Sequence, residues 1–292
     1  MLKGIMPPIT TPFENDEIAF NKLGENISKW NKTKLSGYVV FGSNGESVFL
    51  TRNEKLKLIE FVKKNKSDDK KLIAGTGSDS IKETISLSIE AANLGADAAL
   101  ILTPSFYKSQ MKHEAFIKYF STIADSISIP LIIYNVPKFT GVSIEPETVA
   151  KLSEHQNIIG IKNSEENIAN LTEIIHLTSS NFLTFVGTAS ILYPGLSAGA
   201  SGGILALANI APNECIKIFE DVNQGRLEEA KKLQMNLISL NKAVTSKYGV
   251  SGLKAAMDLL GYFGGEPRLP LTSLTKLERE DLISILKKSN LL

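Results

Sequence analysis

Cysteine is all but missing. Cys215 stands alone, which excludes a disulfide within the chain and leaves no Cys-x-x-C pair for redox chemistry or zinc. Histidine is scarce as well: His113, His155 and His176 fall far apart on expected helices or their ends, without ligand spacing, so no protein-bound metal is expected. Neither sign of charge is in excess. With 32 Lys and Arg against 31 Asp and Glu, the net charge is +1, and nothing favours nucleic acid, a membrane surface or a strongly charged partner. No apolar run approaches the roughly 18 residues needed to cross a bilayer. The start, Met1-Leu2-Lys3-Gly4-Ile5-Met6-Pro7-Pro8, has no apolar signal core, so an intracellular, cytoplasmic protein acting on a small molecule is the expectation.

What is present is a repeat. Short apolar, β-branched runs occupy residues 4–9, 37–41, 71–74, 98–102, 130–134, 158–162, 183–186 and 203–207, and an amphipathic stretch of helical period follows each. Thr51-Arg52-Asn53-Glu54 and Ser80-Ile81-Lys82-Glu83 fit the capping box, in which a hydroxyl and a carboxylate satisfy orphan backbone donors at a helix start. Eight βα units without a break in composition predict an α/β fold of the (β/α)8 TIM-barrel type. An open doubly wound sheet is the weaker alternative. After Ala211-Pro212 the strands stop and helical patterns cover 214–223, 227–248, 253–260 and 276–288. The chain thus divides into a barrel over 1–224 and a C-terminal helical extension over 225–292.

Active sites of such barrels sit at the C-terminal ends of the strands. Lys162 ends the sixth run, Ile158-Ile159-Gly160-Ile161-Lys162, where an ammonium is costly unless something uses it. Burial disfavours the charged form of a lysine, and the neutral amine is a nucleophile toward carbonyl carbon. A solvated strand-end lysine is the alternative. In Gly42-Ser43-Asn44-Gly45 the glycines permit a tight turn, and successive N–H groups with the Ser43 hydroxyl suit a carboxylate; an ordinary turn has the same composition. Glu46 is read as ordering that loop through backbone donors rather than as a catalytic acid. Tyr134 ends the fifth run, either as a proton relay beside an amine or as a strand filler. Gly75-Thr76-Gly77 lacks the third glycine and downstream acid of a nucleotide loop. The small-residue stretch 195–203 reads as close packing or pocket room rather than a phosphate site.

The ordered set Gly42-Ser43-Asn44-Gly45-Glu46, Tyr134-Asn135-Val136-Pro137 and Gly160-Ile161-Lys162 resembles the dihydrodipicolinate synthase and N-acetylneuraminate lyase superfamily of Schiff-base aldolases. The likeness runs from Pro8-Ile9-Thr10-Thr11-Pro12-Phe13 to Gly261-Tyr262-Phe263-Gly264-Gly265. It implies that Lys162 forms an imine with pyruvate or another 2-oxo acid and that Tyr134 relays protons. Ser43 and Asn44 would hold the carboxylate, and the Ile204 backbone would touch the bound oxo acid. No metal or organic cofactor is implied, and the expected assembly is a homotetramer, a dimer of dimers.

Two departures bear on the substrate. Synthases of this superfamily carry an arginine for the second substrate's carboxylate where this chain has Phe139, with Lys138 beside it lacking the bidentate fork. A relay tyrosine donated across the subunit interface is replaced by Phe106, with Tyr107 one place later as a candidate substitute. Gly95-Ala96-Asp97-Ala98-Ala99, Ala206-Leu207-Ala208-Asn209 and Gly252-Leu253-Lys254 are most similar to the 4-hydroxy-2-oxoglutarate aldolase branch, and Ser164 matches it beside the substrate's hydroxyl or distal carboxylate. The leading expectation is therefore cleavage of a 4-hydroxy-2-oxo acid, 4-hydroxy-2-oxoglutarate first, to pyruvate and an aldehyde. The alternatives are the synthase condensing pyruvate with aspartate semialdehyde, sugar-acid aldolase or dehydratase chemistry, and a non-catalytic oxo-acid-binding barrel.

Overall fold

In the computed structural model, which describes residues 2–292, eight barrel strands alternate with eight outer helices, with a short antiparallel pair, Phe13–Glu14 and Glu17–Ile18, and a four-residue helical turn, Pro137–Thr140, in the connections. The strands are β1 (Gly4–Met6), β2 (Gly37–Val40), β3 (Lys71–Gly75), β4 (Ala98–Leu102), β5 (Leu131–Asn135), β6 (Ile158–Asn163), β7 (Leu183–Val186) and β8 (Gly202–Ile204). All pair in parallel, in the order β1-β8-β7-β6-β5-β4-β3-β2. A bridge between Pro8 and Val39 joins the two ends of that row and closes the barrel. At this seam the Val39 N–H donates to Pro7 O at 3.0 Å and the Ile9 N–H to Val39 O at 2.9 Å. The prolines serve only as acceptors there, so their missing N–H groups cost the seam nothing.

Helices α1 (Phe20–Asn31), α2 (Arg52–Asn65), α3 (Ile81–Asn93), α4 (His113–Ser126), α5 (Pro146–Ser153), α6 (Ile168–Leu177), α7 (Leu192–Ser197) and α8 (Pro212–Asn223) follow the strands in turn. The C-terminal extension adds α9 (Leu227–Lys242), α10 (Gly249–Leu259) and α11 (Lys276–Lys288). Strands covered on both faces need apolar residues on both, which is why they read as continuous hydrophobic runs. Met6, Val39, Ile73, Leu100, Ile132, Phe185 and Ile204 fill the barrel interior, while Ile133, Ile158 and Ile161 face the helix layer with Phe120 and Val149. The interior is a packed core, and only its mouth is open to chemistry.

Three expectations need correcting. Strand structure stops at Met6 and Ile204 rather than reaching residues 9 and 207: Pro7 and Pro8 have no N–H to continue the ladder, and Ala206–Asn209 closes into a 3-10 turn. At Ser80 only half of the capping box forms, because Glu83 pairs with Arg52 instead of returning to the cap. The helix expected over 227–248 leaves α-geometry at Lys242, and Ala243–Lys247 is a π-helical turn. There the Thr245 hydroxyl donates to Asn241 O at 2.6 Å, and a hydroxyl competing for a helix carbonyl loosens the regular ladder. In the stretch 195–203 close packing explains Gly195, Gly202 and Gly203, and a φ of 109° explains Gly199. A Cβ on Gly195 would lie 2.5 Å from Val186 Cγ2, and one on Gly202 would lie 2.0 Å from Gly4 O.

The Thr51–Glu54 box does form, and Glu54 is bound again from the extension. Arg268 Nη2 lies 2.6 Å from Glu54 Oε1, and its Nε lies 2.8 Å from Asp16 Oδ1. The Arg268 hydrogen bond, with help from Thr51, holds the Glu54 carboxyl down at about 2, against the pull of partial burial. A depressed carboxylate stabilises the fold above its unfolded value and loses that contribution as pH falls through the folded value. The protein should therefore lose stability between about pH 4.5 and 2. In Glu54→Gln the urea midpoint at pH 7 should fall, and the gap between midpoints at pH 7 and pH 3 should narrow. An unchanged gap would show that this pair does not govern the acid limb.

Candidate active site

In-register pairing places the reactive groups. Tyr134 on β5 pairs with Lys162 on β6, and Lys162 pairs with Phe185 on β7. Register partners on neighbouring strands project to the same face, so the Lys162 and Tyr134 side chains share the barrel mouth above Ile132. The Lys162 ammonium lies 4.0 Å from the centre of the Tyr134 ring. Lys162 is only 2% exposed, yet among the described residues it belongs to no ion pair. A buried amine without a counter-ion is a costly arrangement with reactive potential.

The Tyr134 hydroxyl lies 3.3 Å from Ser43 Oγ. Burial pushes this phenol up. The neighbouring Lys162 cation and hydrogen bonds from Ser43, Lys162 and Ser164 together outweigh burial, and its pKa sits below the ordinary tyrosine value. Ser43 begins a tight turn, Ser43–Gly45, closed by the Gly45 N–H on Gly42 O at 2.9 Å and buttressed by the Thr11 hydroxyl on Gly45 O at 2.8 Å. Left-handed backbone brackets this loop, with φ of 60° at Phe41 and 56° at Glu46. Each such residue costs about 1–3 kcal/mol and persists only where its surroundings enforce it.

Glu46 points away from the mouth. Its Oε1 lies 2.6 Å from Lys254 Nζ on α10, and its Oε2 accepts the Arg268 N–H at 2.8 Å. Burial draws the Lys254 pKa down, while the Glu46 carboxylate pulls it back up. Glu46 thus orders its loop, partly through a backbone donor, as expected, and partly through a buried lysine that sequence reading missed.

A cleft of about 900 Å³ opens above Lys162. Ser43, Asn44, Tyr134, Lys162 and Ser164 all line it, so five of the expected site residues converge. Ile204, expected to act through its backbone, is fully buried in β8, and Ala206, two residues on, lines the cleft. Tyr107 is 66% exposed and outside the cleft of this chain, packed edge-to-face on the exposed Phe106 ring at 5.1 Å. Lys138, singled out beside Phe139, stands on the outer wall, where sequence reading missed Glu145, Glu165, Glu166 and Lys242. Lys138 donates to Thr245 O at 3.0 Å, tying the loop after β5 to the π-helical turn. Two buried strand-end asparagines brace the loops, Asn135 Nδ2 donating to Asn163 Oδ1 at 3.0 Å. Polar residues at and just after a strand end were the available signal for Asn135, Asn163, Glu165 and Glu166, and Lys242, at the end of a helix, has no such signal.

Comparison with known proteins agrees with this geometry. A family model described as the dihydrodipicolinate synthetase family matches residues 1–289. The chain is 35% identical to the 4-hydroxy-tetrahydrodipicolinate synthase of Methanocaldococcus jannaschii over the full length of both. It superposes on the dihydrodipicolinate synthase of Thermotoga maritima with a TM-score of 0.96 at 28% identity, covering all of both chains. A prophage protein of E. coli K12 from the dihydrodipicolinic acid synthase family, solved in complex with pyruvate, gives 0.94 at 26% identity, again over all of both chains. A full-length family match, a 35% identical relative and a closed barrel with a buried lysine at its mouth lead to one conclusion: this chain belongs to the dihydrodipicolinate synthetase family, whose members are Schiff-base-forming lyases of the class I aldolase type.

Proposed function

We propose that the protein condenses pyruvate with aspartate semialdehyde through an imine on Lys162. The unprotonated amine attacks C2 of pyruvate, and loss of water from the carbinolamine gives the iminium, which draws electrons from C3. Removal of a C3 proton leaves the enamine, whose carbon attacks the aldehyde, and water then releases the product and restores the amine. In this scheme Tyr134, hydrogen-bonded to Ser43, moves the protons of carbinolamine formation and breakdown. Ser43 and Asn44 hold the pyruvate carboxylate, and Ser164 faces the incoming aldehyde.

The observation that carries the choice of second substrate is the mixed charge of the outer cleft. Aspartate semialdehyde has both an ammonium and a carboxylate, and the wall offers Glu145, Glu165 and Glu166 together with Lys138 and Lys242. Glyoxylate, the aldehyde released from 4-hydroxy-2-oxoglutarate, has only a carboxylate and no cation for these acids, of which Glu165 already accepts the Ser143 hydroxyl at 2.6 Å. The synthase named for the M. jannaschii relative supports the same choice, and the weight moves from the cleavage expected at first to the condensation. One observation still favours cleavage: Phe139, 63% exposed, stands at the cleft where the synthases resembled above carry arginine.

Two assays test this reading. Incubation with pyruvate and borohydride should leave a pyruvate-sized adduct on Lys162, and its absence would end the mechanism. Side-by-side turnover of pyruvate plus aspartate semialdehyde and of 4-hydroxy-2-oxoglutarate should favour the first by at least about tenfold in kcat/KM. The reverse preference would return the aldolase. A homotetramer is proposed as well, with light scattering at micromolar concentration as its check.

A further inference from the structure

We propose that Glu46 and Lys254 are a positioning pair through which the C-terminal extension holds the Ser43–Asn44 cradle in place and so sets the affinity for pyruvate. The proposal builds on the Schiff-base reading above. Neither residue lines the cleft, so neither is a catalytic residue.

The pair is buried at both ends, Glu46 at 2% and Lys254 at 0% exposure. Both carboxylate oxygens of Glu46 reach from the loop after β2 to the extension. Glu46 takes Lys254 Nζ on one oxygen and the Arg268 N–H on the other. Lys254 Nζ also donates to Glu266 O at 2.9 Å. Phe13 is held between two cations, with Lys254 Nζ 4.6 Å and the Arg268 guanidinium 4.4 Å from its ring centre. Arg268 further donates to Phe49 O at 2.9 Å, just beyond the loop.

A buried ion pair is a poor device for stability, because desolvation cancels most of the attraction; its attested use is to enforce one arrangement over others. Here the arrangement enforced is local. Glu46 sits in left-handed backbone directly after Gly45, at the end of the turn that presents the Ser43 hydroxyl to Tyr134. Releasing its carboxylate lets that residue relax toward ordinary backbone angles and turns the cradle away from Lys162. Lys254 has a matching placement. Its helix, α10, begins at Gly249 and Val250, which line the far wall of the cleft. One ion pair therefore ties the near wall to the far wall, and loosening it should weaken capture of the oxo acid more than the chemistry that follows.

The test uses the full-length protein and the double variant Glu46→Gln/Lys254→Met, which removes both charges at similar volume. The readouts are the pyruvate concentration that half-saturates borohydride trapping, kcat at saturating pyruvate, and Tm. Half-saturation should rise about tenfold or more while kcat stays within about threefold, the signature of lost binding with intact chemistry. Wild-type half-saturation in a folded double variant, whatever its Tm, would overturn the pair's role and leave it merely structural. Should that variant not fold, Lys254→Arg decides. It keeps the charge but enlarges the head group, and half-saturation should rise about threefold; no rise would overturn the proposal. Wild-type protein that traps no pyruvate would instead sink the Schiff-base reading, and this proposal with it.

Discussion

Lys162→Ala is expected to lower kcat/KM by about 10⁴-fold or more, because of the three lysines lining the cleft only Lys162 is buried beside Tyr134, where it can form the covalent intermediate that splits the reaction into accessible steps. Borohydride trapping of pyruvate should vanish with it. The fold should survive. Lys162 is buried with no ion-pair partner among the described residues, so its removal relieves the cost of desolvating a lone amine while opening a small void. These effects oppose one another, and Tm should stay within a few degrees. Coupled-assay kinetics, adduct mass and a melting curve on the same preparation check all three. Retention of more than a hundredth of wild-type kcat would assign the imine to another group; loss of folding would make Lys162 a structural residue.

Tyr134→Phe should lower kcat by about 10²- to 10³-fold, the range a positioned proton-transfer group contributes. Pyruvate capture by borohydride should slow but still reach completion, since the amine remains. The pH profile separates this role from packing. Burial alone would raise the phenol, but the Lys162 cation and the hydrogen bonds from Ser43, Lys162 and Ser164 set it below its ordinary value. The alkaline limb of kcat/KM, which reports groups of the free enzyme, should therefore lie below pH 10 in the wild type, and it should disappear in Tyr134→Phe. Stability follows the same sign. A depressed tyrosine stabilises the fold in full above its unfolded value, and that contribution is lost as pH falls through the folded value. A variant that keeps the wild-type alkaline limb would show that another group titrates, and that Tyr134 acts through shape alone.

Much of this was legible without coordinates. The eight apolar runs fall where strands form, because strands covered on both faces cannot afford polar residues except at their ends. That rule pointed to Lys162, Tyr134, Ser43 and Asn44. The likeness to the 4-hydroxy-2-oxoglutarate aldolase branch then supplied Ser164, which also lines the cleft. The relay expected of Tyr107 runs across a subunit interface, beyond what a single chain shows. A tyrosine one position along a loop lies near the expected relay in sequence, but in this chain its ring packs on Phe106 and is exposed to solvent. The side of the outer wall built by the extension was also invisible, because Lys242, Thr245 and Ser246 reach the cleft only through a π-helical turn in a segment that reads as one continuous helix.

By itself, the chain determined its periodicity and therefore its fold, because burial on two faces or one stripe writes itself into the spacing of apolar residues. It also determined which polar side chains end the strands. Only the tertiary structure decided how those side chains meet. Alternation counted from Ile158, which packs in the helix layer, would send Lys162 outward as well. Instead the β5–β6 register slips by one residue, Leu131 pairing with Ile158 but Ile132 with Gly160. A slip of one residue reverses every side chain beyond it, and Lys162 faces Tyr134 for that reason. The pairing of Glu46 with Lys254 is of the same kind. Both charges can be read in the sequence, but their contact depends on how the C-terminal extension packs against the barrel.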